Sequence, residues 1–329
     1  MSKQFNFPVV DKTTWLRRIN QDLKGKKEIE DLMRFVEGIK LDPFVTADEV
    51  SSVSLPLDRI FDRIERGIFL EISHGKEGNL ILTKLLENGA TALYLNIQED
   101  VNPTDLFDGV FAEYIFLCIY LKEEKNSSLF VEYFEKRYAE KSIRTFIYCG
   151  SKTVFPPQTA IFNVKIHDQF VLPIQHFMVE AKNVILANKP LRCIVNLSIG
   201  KDFVLTICAL RALRILWENL VSNLGFEGDI PMILCVKTSE EILSKDFNQS
   251  LIESSFCTMS ALLGNVDVFY SNTHPSNRTI AELSKVLNIQ HVFLEEGKLD
   301  LVKDPVSGSQ YIENATFILA EKVWEQFQN

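Results

Sequence analysis

No stretch of this 329-residue sequence is apolar for long enough to cross a bilayer: the longest run, Gly109 to Leu121, is interrupted by Glu113. The N-terminus, MSKQFNFPVVDKTTW, has neither the apolar core nor the small-residue cleavage site of a secretory signal. There is no Cys-x-x-Cys pair. The six cysteines (Cys118, Cys149, Cys193, Cys208, Cys235 and Cys257) stand singly, five of them in apolar runs, which fits reduced core residues better than a disulfide framework. Lys and Arg form no stripe and the net charge is −9, so a duplex-binding surface is excluded. These absences predict a soluble, cytoplasmic protein with no membrane and no nucleic-acid partner.

The common chemical motifs are missing too. There is no His-Glu-x-x-His and no Cys/His metal spacing, so no metal site is expected. No Gly-x-Ser-x-Gly elbow occurs, and Gly150-Ser151-Lys152-Thr153 lacks the upstream glycine and the Gly-Lys order of a P-loop. No histidine has Asp two positions before it, which rules out Asp-x-His-x-x-Gly.

What is present is an ordinary globular balance, 46% apolar and 24% charged, with no low-complexity segment and no Pro/Gly/Ser linker. Residues 1–50 read as an arm. Trp15 to Leu23 predicts a short amphipathic helix stopped by Gly25, Ile29 to Val36 a second helix stopped by Gly38, and Ile39 to Thr46 an extended piece containing Pro43. Neither helix buries much alone, so the arm is expected to lie on the main body or on a partner.

Residues 51–329 alternate β-rich apolar runs with helical patterns. Strands are predicted at 68–72, 91–97, 115–121, 143–149, 160–166, 193–199, 231–236 and 266–271. Helices are predicted at 78–87, 127–138, 170–187, 202–223, 249–263 and 277–287; the 104–111 connection carries the weakest pattern. In Asp202 to Asn223, Phe203, Ile207, Leu210, Leu213, Trp217 and Leu220 share one face. Eight strand–helix alternations predict a (β/α)₈ TIM-type barrel with a closing C-terminal helix. The alternative is a doubly wound open sheet, but the first strand ends in SHGKEGN and not in Gly-x-Gly-x-x-Gly.

Barrel chemistry sits at the C-terminal strand ends. Those ends offer Ser73 and His74; Gln98, Glu99 and Asp100; Gly150, Ser151 and Lys152; His167, Asp168 and Gln169; Lys237, Thr238 and Ser239; and Asn272, Thr273 and His274. His167 is the most chemically suggestive, as an acid or as a donor to a carbonyl; a satisfied rim histidine is the plainer reading. Asp168, Gln169, Lys237, Thr238 and Asn272 are candidate ligand contacts on the rim. Glu99 and Asp100 supply only two carboxylates, which fits a solvated loop better than a cation site. On both parities the strands carry bulky residues, as in Ile115 to Leu121, which predicts a packed barrel interior and no tunnel.

The sequence resembles the methylmalonyl-CoA mutase family, the small subunit more than the large one. The arm carries Trp15, Leu23-Lys24-Gly25-Lys26, Glu37-Gly38-Ile39 and Pro43-Phe44, similar to the family's opening segment. Gly89 to Leu93 is similar to its second strand. Ile199-Gly200-x-Asp202-Phe203 and Leu210-Arg211-Ala212-x-Arg214-x-Leu216-Trp217 are similar to its sixth helix, and Thr238-Ser239 and Ala261-x-x-Gly264 continue the likeness. The most specific stretch is Glu295-Glu296, then Asp304-Pro305-x-x-Gly308-Ser309-x-Tyr311-x-Glu313-x-x-Thr316, with Trp324. The resemblance spans most of the chain, weakly between about residues 50 and 190.

The resemblance implies adenosylcobalamin-dependent interconversion of methylmalonyl-CoA and succinyl-CoA in propionate metabolism. It implies an arm that wraps a partner subunit through Trp15, Leu23, Gly38, Pro43 and Phe44, and a structural role for Arg211, Arg214, Trp217, Asp304, Pro305, Gly308, Ser309 and Glu313. The family's cobalamin domain, with its Asp-x-His-x-x-Gly, is expected on another chain. The Tyr- and Arg-rich catalytic segment is here Arg63-Ile-Glu-Arg66-Gly-Ile-Phe-Leu-Glu, without tyrosine. The fifth-strand motif keeps only His167, within Lys165-Ile166-His167-Asp168-Gln169-Phe170, as a vestigial candidate. The implied protein is a non-catalytic small subunit in a heterodimer with the catalytic large subunit, binding no cofactor itself. Two alternatives stand beside it: a split acyl-CoA mutase barrel active with a cobalamin domain on another chain, and a CoA-ester-binding module without turnover.

Overall fold

The computed structural model describes residues 10–46, 49–50, 59–98, 100–139, 141–150, 152–226 and 230–329. The arm opens with helix α1 (Lys12–Leu23), whose N-cap Asp11 accepts a hydrogen bond from the Thr14 backbone at 2.7 Å. Instead of the second helix expected over Ile29–Val36 there is one 3₁₀ turn, Ile29–Leu32, followed by a hairpin of β1 (Arg34–Val36) and β2 (Ile39–Leu41). The reason is local. Glu37 and Gly38 take φ of 50° and 77°, as a two-residue hairpin turn requires, and the following alternation buries Ile39 and Leu41 while exposing Lys40.

The body runs β3 (Glu65–Ile72), α2 (Gly75–Glu87), β4 (Ala92–Ile97), α3 (Pro103–Leu106), β5 (Phe116–Leu121), α4 (Ser127–Tyr138), β6 (Arg144–Cys149), β7 (Lys152–Phe155), β8 (Thr159–Ile166), α5 (Val171–Asn188), β9 (Arg192–Ile199), α6 (Phe203–Asn223), β10 (Met232–Thr238), α7 (Phe247–Leu263), β11 (Val268–Ser271), α8 (Ile280–His291) and α9 (Gln310–Gln328). All eight expected strands form and run parallel, and β11 pairs with β3, so the sheet curls into a TIM-type barrel. Hydrogen bonding is continuous from β8 through β9, β10, β11, β3, β4 and β5 to β6 and β7.

The fourth strand–helix unit departs from the expected alternation. Between Cys149 and Thr159 the chain returns as the short antiparallel strand β7, not as a helix. A parallel crossover needs roughly a dozen residues or more, and this connection is shorter and contains Pro156 and Pro157. The barrel is consequently unzipped at one place, where β7 and β8 lie side by side without ladder hydrogen bonds.

The core has three compartments. Two lie between strands and helices, one over β8, β9 and β10 and one over β3 to β6. The third is the barrel interior, filled from all eight parallel strands by residues that include Phe69, Tyr94, Phe116, Phe146, Tyr148, Ile161, Ile194, Ile233, Val268 and Tyr270. The bulk seen on both strand parities thus serves an outer and an inner core. Gly67 makes this packing possible: a Cβ there would stand 2.4 Å from the Tyr270 ring. Helix α9 lies outside α5 and α6, while α8 covers the β11–β3 closure. No helix among the described residues is long and apolar enough to cross a membrane.

Candidate functional site

The two ends of the barrel interior differ. At the N-terminal end Phe61 packs edge-on against Phe116 at 5.9 Å, with the Arg144 guanidinium 5.2 Å over its ring, and this closes the axis. At the C-terminal end the inward positions turn polar: Glu71 on β3, Asn96 on β4, Tyr120 on β5, Asn163 and Lys165 on β8, Ser198 on β9 and Lys237 on β10. None of these seven is fully buried, so they line an open mouth.

The floor of the mouth is a hydrogen-bonded network. The Tyr94 and Tyr148 hydroxyls are bonded to each other, and Tyr148 donates to Asn163 Oδ1 at 3.2 Å. Asn196 Nδ2 donates to the Tyr148 oxygen at 3.3 Å and to Asn163 Oδ1 at 3.4 Å. Burial pushes the Tyr94, Tyr148 and Tyr270 phenols well above their usual range and the Cys118 thiol up to about 12, so all remain protonated at neutral pH. The Tyr270 hydroxyl is buried with the Cys235 thiol near it as a polar neighbour among the described residues.

Lys237 stands on the wall. Its Nζ lies 4.1 Å from the Phe69 ring centre and 5.2 Å from that of Tyr94. Burial lowers its pKa; Glu240 opposes that shift and Arg278 adds to it. Arg278 pairs with both Glu71 and Glu240. Asn272 is fully buried and supports this pair, donating to Glu240 Oε1 at 3.3 Å and to the Thr238 carbonyl at 3.4 Å. Of the rim candidates, Lys237 therefore presents its charge at the mouth, whereas Thr238 and Asn272 are buried parts of its frame.

His167, Asp168 and Gln169 adjoin this mouth through Lys165, which lines both. With Lys165 and Pro173 they line a shallow depression of about 300 Å³ beside the N-terminus of α5. His167 Nδ1 is 3.2 Å from the Glu241 carboxylate, while Nε2 is buried without a partner among the described residues. Burial, with Lys165 nearby, lowers its pKa against the pull of Glu241, so the ring is neutral at pH 7. Its backbone is clamped: a Cβ on Gly200 would sit 2.6 Å from the His167 carbonyl oxygen and 2.9 Å from its Cα. Gly200→Ala should cost about 1–3 kcal/mol through the forced backbone shift, read as a lower urea midpoint. An unchanged midpoint would show that the rim yields freely.

The arm's hairpin docks next to this depression. The Glu37 carboxylate accepts from the backbone N–H of Phe170 and of Val171, at 2.5 and 3.1 Å, and so caps α5. Arg34 pairs with Asp202, the N-cap of α6. Gly38 therefore serves a turn that sits on this chain's own barrel. Trp15 stacks on Phe44 at 5.0 Å, beside Pro43, and no residue of α1, Leu23 included, is fully buried.

The residues of the sixth helix and closing segment form a frame remote from the mouth. Arg211, fully buried, donates from Nη1 to both oxygens of Asp304, at 2.6 and 2.7 Å. Arg214 Nη2 reaches the Asn265 carbonyl at 2.6 Å and the Asp267 carboxylate at 3.0 Å. Trp217 donates to the Ile230 carbonyl at 2.9 Å. Gly308, at φ +83°, gives its N–H to Glu313 at 2.7 Å, which fixes the turn through Pro305 and Ser309 into α9.

Tyr94, Tyr148, Asn163, Asn196, Glu71 and Arg278 were not foreseen as site residues. One signal was available: Asn96, Asn163 and Asn196 each interrupt an apolar strand. Of the other strand-end residues named above, Glu99 and Ser151 lie outside the described residues. No three His, Cys, Asp or Glu side chains converge as a metal-binding group among the described residues.

Comparison with known proteins bears on the frame. The family model described as methylmalonyl-CoA mutase matches residues 191–329, which include Arg211, Arg214, Trp217, Asp304, Pro305, Gly308, Ser309 and Glu313. The methylmalonyl-CoA mutase of Cereibacter sphaeroides is 29% identical over 133 residues, covering 39% of this chain and 19% of that protein. The methylmalonyl-CoA mutase small subunit of Porphyromonas gingivalis is 30% identical over 145 residues, 40% of this chain and 22% of its own. The large subunit from Propionibacterium freudenreichii is 26% identical over 140 residues, 40% of this chain and 19% of its own. The match thus spans only about a fifth of the length of these relatives. Residues 191–329, from the sixth parallel strand to the last helix, are thus similar to methylmalonyl-CoA mutase.

Proposed function

We propose that this chain is a small-subunit-like component of an adenosylcobalamin-dependent methylmalonyl-CoA mutase, cytoplasmic, non-catalytic by itself, and paired with a large subunit that it stabilises. The observation that carries this reading is the filled interior. A barrel that threads an acyl-CoA along its axis needs small inward residues. Here Phe69, Phe116, Phe146, Ile161, Ile194, Ile233 and Val268 occupy the axis, and Phe61 closes its N-terminal end.

Adenosylcobalamin supplies the radical chemistry of this isomerisation when bound. The described histidines do not fit as a cobalt ligand over the mouth: none occupies an inward strand position, His167 faces Glu241, and His274 and His291 are held by Ser276 and Asn88. We assign the cofactor to the partner subunit and derive no step through it. The partner contact fits α1, whose Trp15, Leu16, Ile19 and Leu23 line one face without being buried.

The test is co-expression with a mutase large subunit from the same source, followed by affinity capture and mass measurement. A one-to-one complex is expected, weakened at least tenfold by Leu16→Asp. A chain that stays monomeric beside the large subunit, or that isomerises methylmalonyl-CoA on its own with added cofactor, overturns the reading.

A further inference from the structure

A lysine ammonium placed in a low-dielectric site normally finds a carboxylate, because an unpaired charge there is costly. Lys237 has none within ion-pair distance among the described residues. The two nearby carboxylates, Glu71 and Glu240, are both engaged by Arg278. What surrounds the Lys237 amine is aromatic: Phe69 at 4.1 Å and Tyr94 at 5.2 Å. The Arg278 guanidinium shares the Phe69 ring, 5.6 Å from its centre, so a second cation stands close by. Below lie the uncharged Tyr94–Tyr148–Asn163–Asn196 network and the protonated Cys118 thiol. These are the two conditions that turn a lysine into a nucleophile, desolvation and a neighbouring cation. The side chain also points into an open mouth at the end of the barrel where strands place chemistry.

We infer that Lys237 is a nucleophilic amine that captures a small aldehyde or ketone as a reversible imine at the C-terminal mouth. The free amine nitrogen attacks the carbonyl carbon, and a proton moves from nitrogen to the former carbonyl oxygen, giving a carbinolamine. Loss of that hydroxyl as water, with the remaining nitrogen proton, leaves the imine. Amine and carbonyl thus become imine and water, with no oxidant or reductant consumed. This capacity is independent of the subunit assignment, and the purified chain alone tests it.

The groups that set the amine's protonation are Glu240 after β10, Arg278 before α8, Glu71 on β3 and Cys118 on β5, with burial dominant. Trace reductive methylation with formaldehyde and cyanoborohydride, resolved by peptide mass spectrometry between pH 6 and 11, reads each lysine separately. Normalised to its own rate at pH 11, Lys237 should keep several-fold more of its labelling at pH 7 than the exposed Lys122 does. Acetaldehyde followed by borohydride should place an ethyl group on Lys237 ahead of the surface lysines, and Lys237→Met should remove that product without changing the circular dichroism spectrum. A Lys237 pH profile that superimposes on that of Lys122, or a Lys237 that takes no label, overturns the inference. These readings in the wild-type chain decide the matter even if the variant fails to fold.

Discussion

Asp304→Ala should lower the unfolding free energy by about 3–5 kcal/mol, the range found when a buried ion pair loses one partner. Arg211 is fully buried in the middle of α6, and Asp304 takes both of its hydrogen bonds there at 2.6 and 2.7 Å. The guanidinium has no second anchor among the described residues, where its Nε and Nη2 are buried without partners. Removing the carboxylate leaves the buried guanidinium without its counter-charge. The same replacement frees the turn before α9, so the C-terminal helix should become the first part to exchange its amide hydrogens. Urea titration gives the total and hydrogen exchange gives the location. The double variant Arg211→Met, Asp304→Leu should recover most of the loss, because two apolar side chains need no charge compensation. A single variant within about 1 kcal/mol of the wild type would show that the pair is solvated and the frame does not depend on it.

The second large effect is expected at Tyr148. Tyr148→Ala should cost about 3–5 kcal/mol, as large-to-small changes in packed aromatic cores do. Its ring is 1% exposed in the barrel interior, against Tyr120 at 5.1 Å, and its hydroxyl joins Tyr94, Asn163 and Asn196. Tyr148→Phe keeps the ring and loses only the hydroxyl, so it should cost about 1–3 kcal/mol from the polar groups left short of a partner. The ratio of the two losses separates packing from hydrogen bonding. This measurement also bears on function. If Tyr148→Ala folds as stably as the wild type, the interior is not a packed core, and the reading of a blocked, non-catalytic barrel loses its main support.

Much of the architecture was legible because it rests on periodicity. Each of the eight parallel strands appears as a β-rich apolar run, and the Asp202–Asn223 stripe became α6 almost to the residue. The misreadings have specific causes. Ile29–Val36 shows the spacing of a helix, but Glu37-Gly38 supplies a tight turn, and Arg34–Val36 pairs with Ile39–Leu41, which buries Ile39 and Leu41. Strand β7 was missed because its four residues, hemmed in by Gly150 and Pro156, leave no periodicity to read.

The site was legible only in part. Lys237 stands out in the sequence only by its position at a strand end. Its neighbours Phe69, Tyr94 and Arg278 are far away in sequence and meet only when the sheet curls. His167 is the more suggestive of the two along the chain, yet it faces a shallow outer depression while Lys237 faces the barrel mouth.

The sequence by itself determined the barrel, the arm and the likeness of residues 191–329 to the mutase family, because strand and helix periods and short motifs are local properties. Only the tertiary structure decided which strand parity faces the axis, that the fourth unit returns as a strand, that Phe61 closes one end and that Lys237 at the other has no carboxylate of its own among the described residues. Those outcomes depend on closure, which brings eight distant segments around one axis and makes each inward side chain a neighbour of residues that no local pattern can name.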